Sequence, residues 1–163
     1  TGERAEESAA RARYNCFERH RSDNRAGARV KRFIDQWRPI HDWKEEKVWS
    51  ILARHKVNPH PAYWLGWGRT SCRTCIFGSP SQWATIKRYM PNAFDNVADY
   101  EDDFGVTIQR KKSVRQLAAG GVPYDCDLRM IEIAESTSYS EPIIVQGDWV
   151  YPPGAFGESA GPT

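Results

Sequence analysis

The stretch PHPAYWLGWGRTSCRTC, residues 59–75, is the part of the sequence from which fold and chemistry are most directly predicted. Its two thiols, Cys72 and Cys75, follow an aromatic, glycine-rich turn that carries Arg69. A Cys-x-x-Cys pair brings two sulfurs to one metal ion or to each other, because the short loop between them curls back. The pair alone is compatible with an iron–sulfur cluster, a zinc ion or a redox dithiol, and all three remain open here.

The charge of the chain is unevenly distributed. The net charge is +2, but residues 1–60 hold 14 Lys and Arg against 9 Asp and Glu, whereas the remainder is net acidic. The segment from Arg11 to Arg38 holds nine basic and three acidic residues. We expect it to contact phosphate, sulfate or nucleic acid, with a solvated helix face as the alternative.

Composition and apolar patterning bound the class of protein. The chain has 163 residues, 40% of them hydrophobic and 27% charged, which is typical of a globular domain with a real core. It has no apolar run long enough to cross a membrane and no signal peptide pattern, so we expect a cytoplasmic protein with no membrane partner. Its four cysteines are therefore expected to be reduced thiols or metal ligands.

Local signals predict a mostly helical chain. Helix-forming composition predicts a helix from Glu6 to His20, followed by loop and helix over 21–38. A capping box predicts a helix starting at Asp42, with Glu45 as its N3 residue. Further segments follow from caps, prolines and periodicity. They are a helix at 79–90, an interruption at Pro91, a helical stripe from Phe94 to Phe104 closed by Gly105, a short strand at 106–109, a short helix at 113–119, a helix or strand within 126–134, a strand-like segment at 143–151 and a loose tail from Pro152.

The N-terminal segment TGERAEESAAR, residues 1–11, is the second candidate site. A turn that leads into a helix exposes backbone N–H groups, which suits an anion. Arg4 and Arg11 offer guanidinium groups, and Ser8 offers a hydroxyl three residues before Arg11. The alternative is a surface helix with Glu–Arg pairs.

Three motifs in this order resemble the phosphoadenosine phosphosulfate (PAPS) reductase family. They are Gly-x-Arg-x-x-x-Ser-x-x-Arg at 2–11, Pro-Ile-x-Asp-Trp with Val-Trp at 39–49, and Pro-x-Tyr through the Cys-x-x-Cys pair at 61–75. The ending Cys-Ile-Phe-Gly-Ser is most similar to reductase-like proteins of bacteria and their phages, including relatives of DNA-phosphorothioation enzymes.

The resemblance implies an α/β fold of the adenine nucleotide α-hydrolase-like (PP-loop) type, of which this chain would be the C-terminal, mostly helical half. The family's pyrophosphate loop, Ser-Gly-Gly-x-Asp-Ser, does not occur in the chain, so an upstream half is the implied partner. Residues 1–105 would form the family domain, 106–151 a small extension and 152–163 a flexible tail. By matching positions, Arg4, Ser8 and Arg11, joined by Arg69, would bind the phosphate or sulfate groups of the nucleotide, PAPS or ATP.

The thiols depart from the thiol-dependent reductases. Those enzymes carry Glu-Cys-Gly-x-His near the C-terminus, and residues 152–163 contain no cysteine, so simple thioredoxin-coupled reduction is not expected. The four cysteines, Cys16, Cys72, Cys75 and Cys126, equal the number that one [4Fe–4S] cluster or one structural zinc requires. The resemblance favours the cluster over zinc. Alternatively, Cys16 and Cys126 are small buried hydrophobic residues.

Three functions remain open from the sequence. The first is part of a PAPS-reductase-like enzyme that binds an adenine nucleotide and performs sulfur reduction or sulfur transfer. The second is an ATP-dependent sulfurtransferase that modifies DNA or RNA and contacts it through the basic segment Arg11 to Arg38. The third is a non-catalytic, metal-stapled binding module.

Overall fold

The computed structural model describes residues 1–27 and 29–157. The chain divides into two compact units, the first formed by residues 1–50 and the second beginning at Ile51. In the described ranges, no helix has both the length and the apolarity needed to span a bilayer.

The N-terminal segment of the first unit forms two short 3₁₀ turns, Ala5–Glu7 and Arg11–Arg13. The predicted helix from Glu6 to His20 is therefore wrong. The backbone of Ser8 is extended (φ −168°, ψ 159°), and its Oγ accepts the Arg11 N–H at 3.2 Å, so the first turn cannot continue. Helix-forming composition is overridden here by a local side-chain hydrogen bond and by the strand that follows.

A two-stranded antiparallel ribbon replaces the helix predicted within 21–38. Strand β1 (Phe17–Arg19) pairs with β2 (Asp35–Trp37), so that Phe17 lies opposite Trp37 and Arg19 opposite Asp35. Backbone hydrogen bonds from Arg38 N–H to the Cys16 carbonyl (2.7 Å) and from His20 N–H to the Ile34 carbonyl (2.9 Å) extend the ladder at both ends.

Asp23 organises the loop of this ribbon. Its side chain is fully buried and accepts the backbone N–H groups of Arg25 (3.0 Å) and Ile34 (2.7 Å). It also binds the guanidinium groups of Arg19 and Arg25. The hydrogen bond from the Arg25 side chain is the largest cause that holds the pKa of Asp23 well below its usual range, against the opposing effect of burial.

Helix α1 (Glu45–Arg54) begins two residues later than the capping box predicts, since Asp42 as the cap would make residue 43 the first helical residue. The predicted cap, Asp42, is exposed and pairs with His41 instead, at 3.2 Å. The Glu45 N–H donates to the Glu6 carboxylate at 2.6 Å, so the N-terminus of α1 is satisfied by a residue far earlier in the chain. The capping-box prediction at Asp42 is therefore wrong.

Helices α3 and α4 of the second unit begin and end close to their predicted signals, whereas α2 lies in a stretch that was predicted as a turn. Helix α2 (Pro61–Trp64) is capped by His60, and α3 (Pro80–Tyr89) by a Ser79–Gln82 capping box. Helix α4 (Pro91–Phe104) begins at Pro91, the proline predicted to interrupt the chain before the stripe from Phe94, and ends at the predicted Gly105, whose φ of 63° favours glycine.

Helices α5 (Val114–Ala119) and α6 (Leu128–Glu135) complete the second unit. A Ser113–Gln116 capping box starts α5, so its prediction is confirmed. The helical alternative for 126–134 is confirmed and the strand alternative is wrong, because Asp127 caps α6 by accepting the Arg129 N–H at 2.8 Å.

The core of the second unit lies between α3, α4 and α5. Trp83 and Val114 are completely buried, and the Trp83 ring meets Phe94 edge-on with centroids 6.4 Å apart. Glu101 joins α4 to α5, since its buried carboxylate accepts the backbone N–H groups of Val114 (2.9 Å) and Ile108 (2.9 Å). Leu65 and Trp67, which precede the Cys-x-x-Cys pair in the sequence, are part of this core.

The strand predicted at 106–109 is absent from this described segment, where Gln109 forms one isolated bridge with Lys112. The strand-like segment at 143–151 is reduced to one bridge between Ile144 and Val57. Within the predicted tail, Pro152 and Gly154 are buried, and residues 158–163 lie outside the described residues.

The regular elements of residues 1–27 and 29–157 are six α-helices, two 3₁₀ turns and one small antiparallel sheet, β1–β2. Helices predominate over strands, as predicted, while no parallel strand pair occurs among the described residues. The domain boundaries at 105 and 151 stay predictions, and the compact units divide the chain at a different point, after Ser50.

Candidate functional site

The two N-terminal arginines of the first unit converge on one carboxylate. The Arg4 Nε lies 3.4 Å from Glu7 Oε1, and Arg11 binds the other oxygen of Glu7. Arg4 also binds Glu6, and its side chain is only 14% exposed. The predicted residues Arg4 and Arg11 are therefore brought together, with Glu7 between them.

Ser8 lies between these two arginines in the sequence. Its Oγ already accepts the Arg11 N–H, which leaves its own hydroxyl hydrogen free to donate to an anion. Two guanidinium groups and one hydroxyl within one short segment are a suitable donor set for a phosphate or sulfate group. The Glu–Arg pairs of the alternative interpretation are also present, on 3₁₀ turns and not on the helix that it assumed. The role of Arg4, Ser8 and Arg11 in nucleotide binding stays a prediction.

His41 is hydrogen-bonded to this segment at two points. Its buried ring bonds to the Arg11 carbonyl through Nε2 (3.0 Å) and to Asp42 through Nδ1 (3.2 Å). The hydrogen bond to the Arg11 carbonyl is the largest cause that raises the pKa of His41, and Asp42 adds to it against the effect of burial. The Ala5 N–H also donates to the His41 carbonyl at 2.8 Å.

Arg38, like His41, binds groups of the N-terminal segment and was not predicted to do so from the sequence. It is 3% exposed and donates to the carboxylates of Glu3 and Glu18, each at 2.7 Å, and to the Asn15 carbonyl at 2.9 Å. It thereby joins the N-terminal segment to the ribbon. The only available signal was the position of Arg38 immediately before the Pro-Ile-His-Asp-Trp motif.

The Cys-x-x-Cys pair lies in the second unit, on the loop between α2 and α3. Gly66 enters this loop with a φ of 90°, and a Cβ there would lie 2.9 Å from the Tyr124 ring, so the turn requires glycine. Cys72 is exposed, and Cys75 is partly buried with its sulfur 4.0 Å from the Arg69 guanidinium. Arg69 is thus placed beside a thiol, in a different unit from Arg4 and Arg11.

Cys126 lies in the core of the second unit. Its thiol donates to the Leu65 carbonyl at 3.4 Å, and burial raises its pKa to about 11, with a smaller contribution from Asp125. This environment favours the alternative that Cys126 is a small buried hydrophobic residue. Cys16 belongs to the first unit, where its exposed thiol donates to the Arg38 carbonyl at 3.3 Å.

The donor set fits a metal centre only in part. Across residues 1–27 and 29–157, no three His, Cys, Asp or Glu side chains are arranged to hold one ion. Cys72 and Cys75 supply two thiolates, which is half of what a tetrahedral zinc or a [4Fe–4S] cluster requires. The assignment of Cys16 and Cys126 as the remaining ligands stays a prediction.

Comparison with known proteins matches residues 1–77 to the model of the phosphoadenosine phosphosulfate reductase domain. The chain is also 36% identical over 100 residues to an uncharacterized 37.8 kDa protein in the gpa 5′ region of Escherichia phage 186. That alignment covers 61% of this chain and 28% of the phage protein, so the chain spans under a third of that relative. No solved structure matches. The resemblance to the PAPS reductase family that the motifs predict is thereby confirmed over residues 1–77.

Proposed function

We propose that this chain is part of a PAPS-reductase-like enzyme that binds an adenine nucleotide and performs sulfur reduction or sulfur transfer. The observation that carries the proposal is the convergence of Arg4 and Arg11 on the Glu7 carboxylate, within the segment matched to the reductase domain. A carboxylate held between two guanidinium groups occupies the kind of position that a phosphate or sulfate group would take.

Binding of the nucleotide would then require exchange of one anion for another. The phosphate or sulfate group of PAPS or ATP would replace Glu7 between Arg4 and Arg11, and the Ser8 hydroxyl would donate to it. Positioned cations of this kind lower the barrier by stabilising negative charge that develops on the leaving group. Arg69 is the fourth residue proposed to bind the nucleotide, and its guanidinium lies 4.0 Å from the Cys75 sulfur.

The proposed cofactor is a [4Fe–4S] cluster, with zinc as the alternative. Cys72 and Cys75 would provide two of its ligands, and such a cluster would supply electrons or hold sulfur. Cys16 and Cys126 are the proposed further ligands within this chain. The proposed partner is an upstream half that carries the pyrophosphate loop, and the cytoplasm is the proposed location, which suits the four free thiols.

A second candidate function is ATP-dependent sulfur transfer to DNA or RNA. The ion pairing of the basic segment favours it, because the three acidic residues from Arg11 to Arg38 are all occupied by Arg19, Arg25 and Arg38. Arg11 is paired with Glu7, and the other five cations of the segment have no ion pair among the described residues, which leaves them for an external polyanion.

Nucleotide binding by the purified chain tests the main proposal. Titration with ATP and PAPS should give an affinity that falls about tenfold or more in Arg4→Ala and Arg11→Ala, since each variant removes a charge-assisted contact. Arg54→Ala, an exposed arginine on α1, is the matched control. Equal affinity in all four proteins would contradict the proposed nucleotide site and favour the non-catalytic module.

Anaerobic purification tests the cofactor. We expect iron, sulfide and a broad band near 400 nm in the wild type, and their loss in Cys72→Ser. Stoichiometric zinc would replace the cluster by a structural metal. A metal-free, colourless protein would contradict both forms of the cofactor proposal while leaving the nucleotide proposal to the titration.

A further inference from the structure

The β1–β2 ribbon presents two aromatic side chains on one exposed face. Phe17 and Trp37 are directly opposite each other and are 64% and 61% exposed. The hydrogen bonds at Cys16–Arg38 and His20–Ile34 mark the hydrogen-bonded positions of the ladder, so Phe17 and Trp37 form a non-hydrogen-bonded pair. Side chains of such a pair approach most closely, with Cα atoms about 4.5 Å apart. The two rings therefore form a contiguous apolar surface in water.

The segment that carries these two rings holds more positive than negative side chains, so some of its cations have no acidic partner. The acidic side chains of the ribbon are each bound by an arginine: Glu18 by Arg38, Asp23 by Arg19 and Arg25, and Asp35 by Arg25. For the part of the chain that the structure describes, no ion pair is found for five exposed cations of the same segment, which are Arg13, Arg21, Arg29, Lys31 and Arg32. The segment thus combines exposed rings with free positive charge.

A third exposed ring lies between the two strands of the ribbon in the sequence. Phe33 is 71% exposed, and the Arg25 guanidinium lies 5.6 Å from its ring centre. Because Arg25 is also fixed by Asp23 and Asp35, this ring is held next to a positioned cation. Exposed aromatic rings among cations are the combination that binds unpaired nucleotides, with bases on the rings and phosphates on the cations.

We propose that this surface, defined as Phe17, Trp37 and Phe33 with the five free cations, binds single-stranded nucleic acid. Bases stack on Phe17 and Trp37, while Arg and Lys side chains contact the phosphates. In a duplex the bases are stacked on one another, so their faces are not available to the aromatic rings. The surface should therefore bind a single strand more tightly than a duplex. The inference rests on the second candidate function above, for which it names the substrate class.

Binding of the full chain to a fluorescein-labelled 20-nucleotide oligothymidine strand, a 20-base-pair duplex and heparin tests the inference. We expect the single strand to bind at least tenfold more tightly than the duplex or heparin. Trp37→Leu and Phe17→Leu, which keep an apolar residue in the ribbon, should each weaken single-strand binding about tenfold. Phe104→Leu, at a ring equally exposed on α4, is the matched control and should bind like the wild type.

A second pair of variants separates charge from stacking. Log affinity falls linearly with log salt concentration, and Lys31→Ala and Arg32→Ala should each make this negative slope less steep by about 0.7. The preference for the single strand should not change. Circular dichroism confirms that each variant is folded. If strand, duplex and heparin bind equally, and the ring variants leave binding unchanged, the stacking inference is overturned while phosphate contact stands. If neither the single strand nor the duplex binds, both the inference and the second candidate function are overturned.

Discussion

Substitution of Glu7 by Gln should increase the affinity of the chain for an adenine nucleotide. Glu7 is the carboxylate that Arg4 and Arg11 share, and an incoming phosphate has to break both ion pairs before it reaches the guanidinium groups. Gln keeps the size of the side chain and removes its charge. The two arginines then remain in place but lose the anion that competes with the nucleotide.

The size of the gain follows from the exposure of the pairs. The side chains of Arg4, Glu7 and Arg11 are 14%, 26% and 37% exposed, so these pairs are screened by solvent. Each such pair contributes about 0.2–1 kcal/mol. Release of both therefore increases affinity by about 2-fold to 30-fold at 25 °C. The gain should shrink as salt is added, because added ions screen the charges.

Isothermal titration with ATP measures this change. Glu46→Gln is the matched control, since it removes the same charge from an exposed position on α1 in the same unit. We expect Glu46→Gln to bind like the wild type, and the double variant Glu7→Gln with Arg4→Ala to lose the gain. If Glu7→Gln binds ATP no better than Glu46→Gln does, the guanidinium pair does not receive the nucleotide and the reasoning is refuted.

Three further predictions concern stability and reactivity. Glu101→Ala leaves the backbone N–H groups of Ile108 and Val114 unpaired, and each should lower the free energy of unfolding by about 1–3 kcal/mol. Glu101→Gln should lower it by less, and urea unfolding of both variants measures the difference. Cys126 should resist iodoacetamide at pH 7.5 under native conditions, because burial raises its pKa to about 11, whereas the exposed Cys72 should react. Mass spectrometry of the labelled peptides measures both, and equal labelling would contradict the prediction. The raised pKa of His41 should add stability that is fully present below about pH 6.5 and is lost as the pH rises through its folded-state value, so His41→Gln should remove that part of the alkaline decline in unfolding free energy.

The elements that the sequence predicted correctly are those with local chemical causes. The Ser79 and Ser113 capping boxes, Pro91 and Gly105 act within a few residues of the helix end that they fix. Each satisfies or removes backbone donors at that end, whatever the rest of the chain does. Their positions are therefore readable from composition and spacing alone.

The errors lie where distant residues supply the missing partner. The composition predicts a helix that starts at Glu6, yet the Glu6 carboxylate accepts the N–H of Glu45, which a cap at Asp42 would otherwise accept. The same prediction places Phe17 late in that helix, yet Phe17 pairs with Trp37 across a loop that Asp23 closes. Helix propensities differ by under about 1 kcal/mol per residue, so a few such tertiary contacts decide the structure.

The candidate site divides in the same way. Arg4, Ser8 and Arg11 were identified from their spacing, because their proximity is a property of one short segment. Glu7 and His41 were not identified, since an acidic residue between arginines suggests only a surface ion pair, and a histidine 30 residues from Arg11 gives no sign that it bonds to the Arg11 carbonyl. Position in the sequence thus revealed the cations but not the groups that occupy and orient them.

The thiols of the second unit differ in a way that bears on the proposed metal. A metal ligand must be a thiolate, and a thiol with a pKa of about 11 is ionised in roughly one molecule in several thousand at pH 7.5. Cys126 would also have to leave its hydrogen bond to Leu65 and the core around it. Cys72 is exposed and Cys75 is only partly buried, so neither thiol would have to leave the core to reach a metal. A metal bound by this unit is therefore expected to depend first on Cys72 and Cys75, and its recruitment of Cys126 would require the core to open.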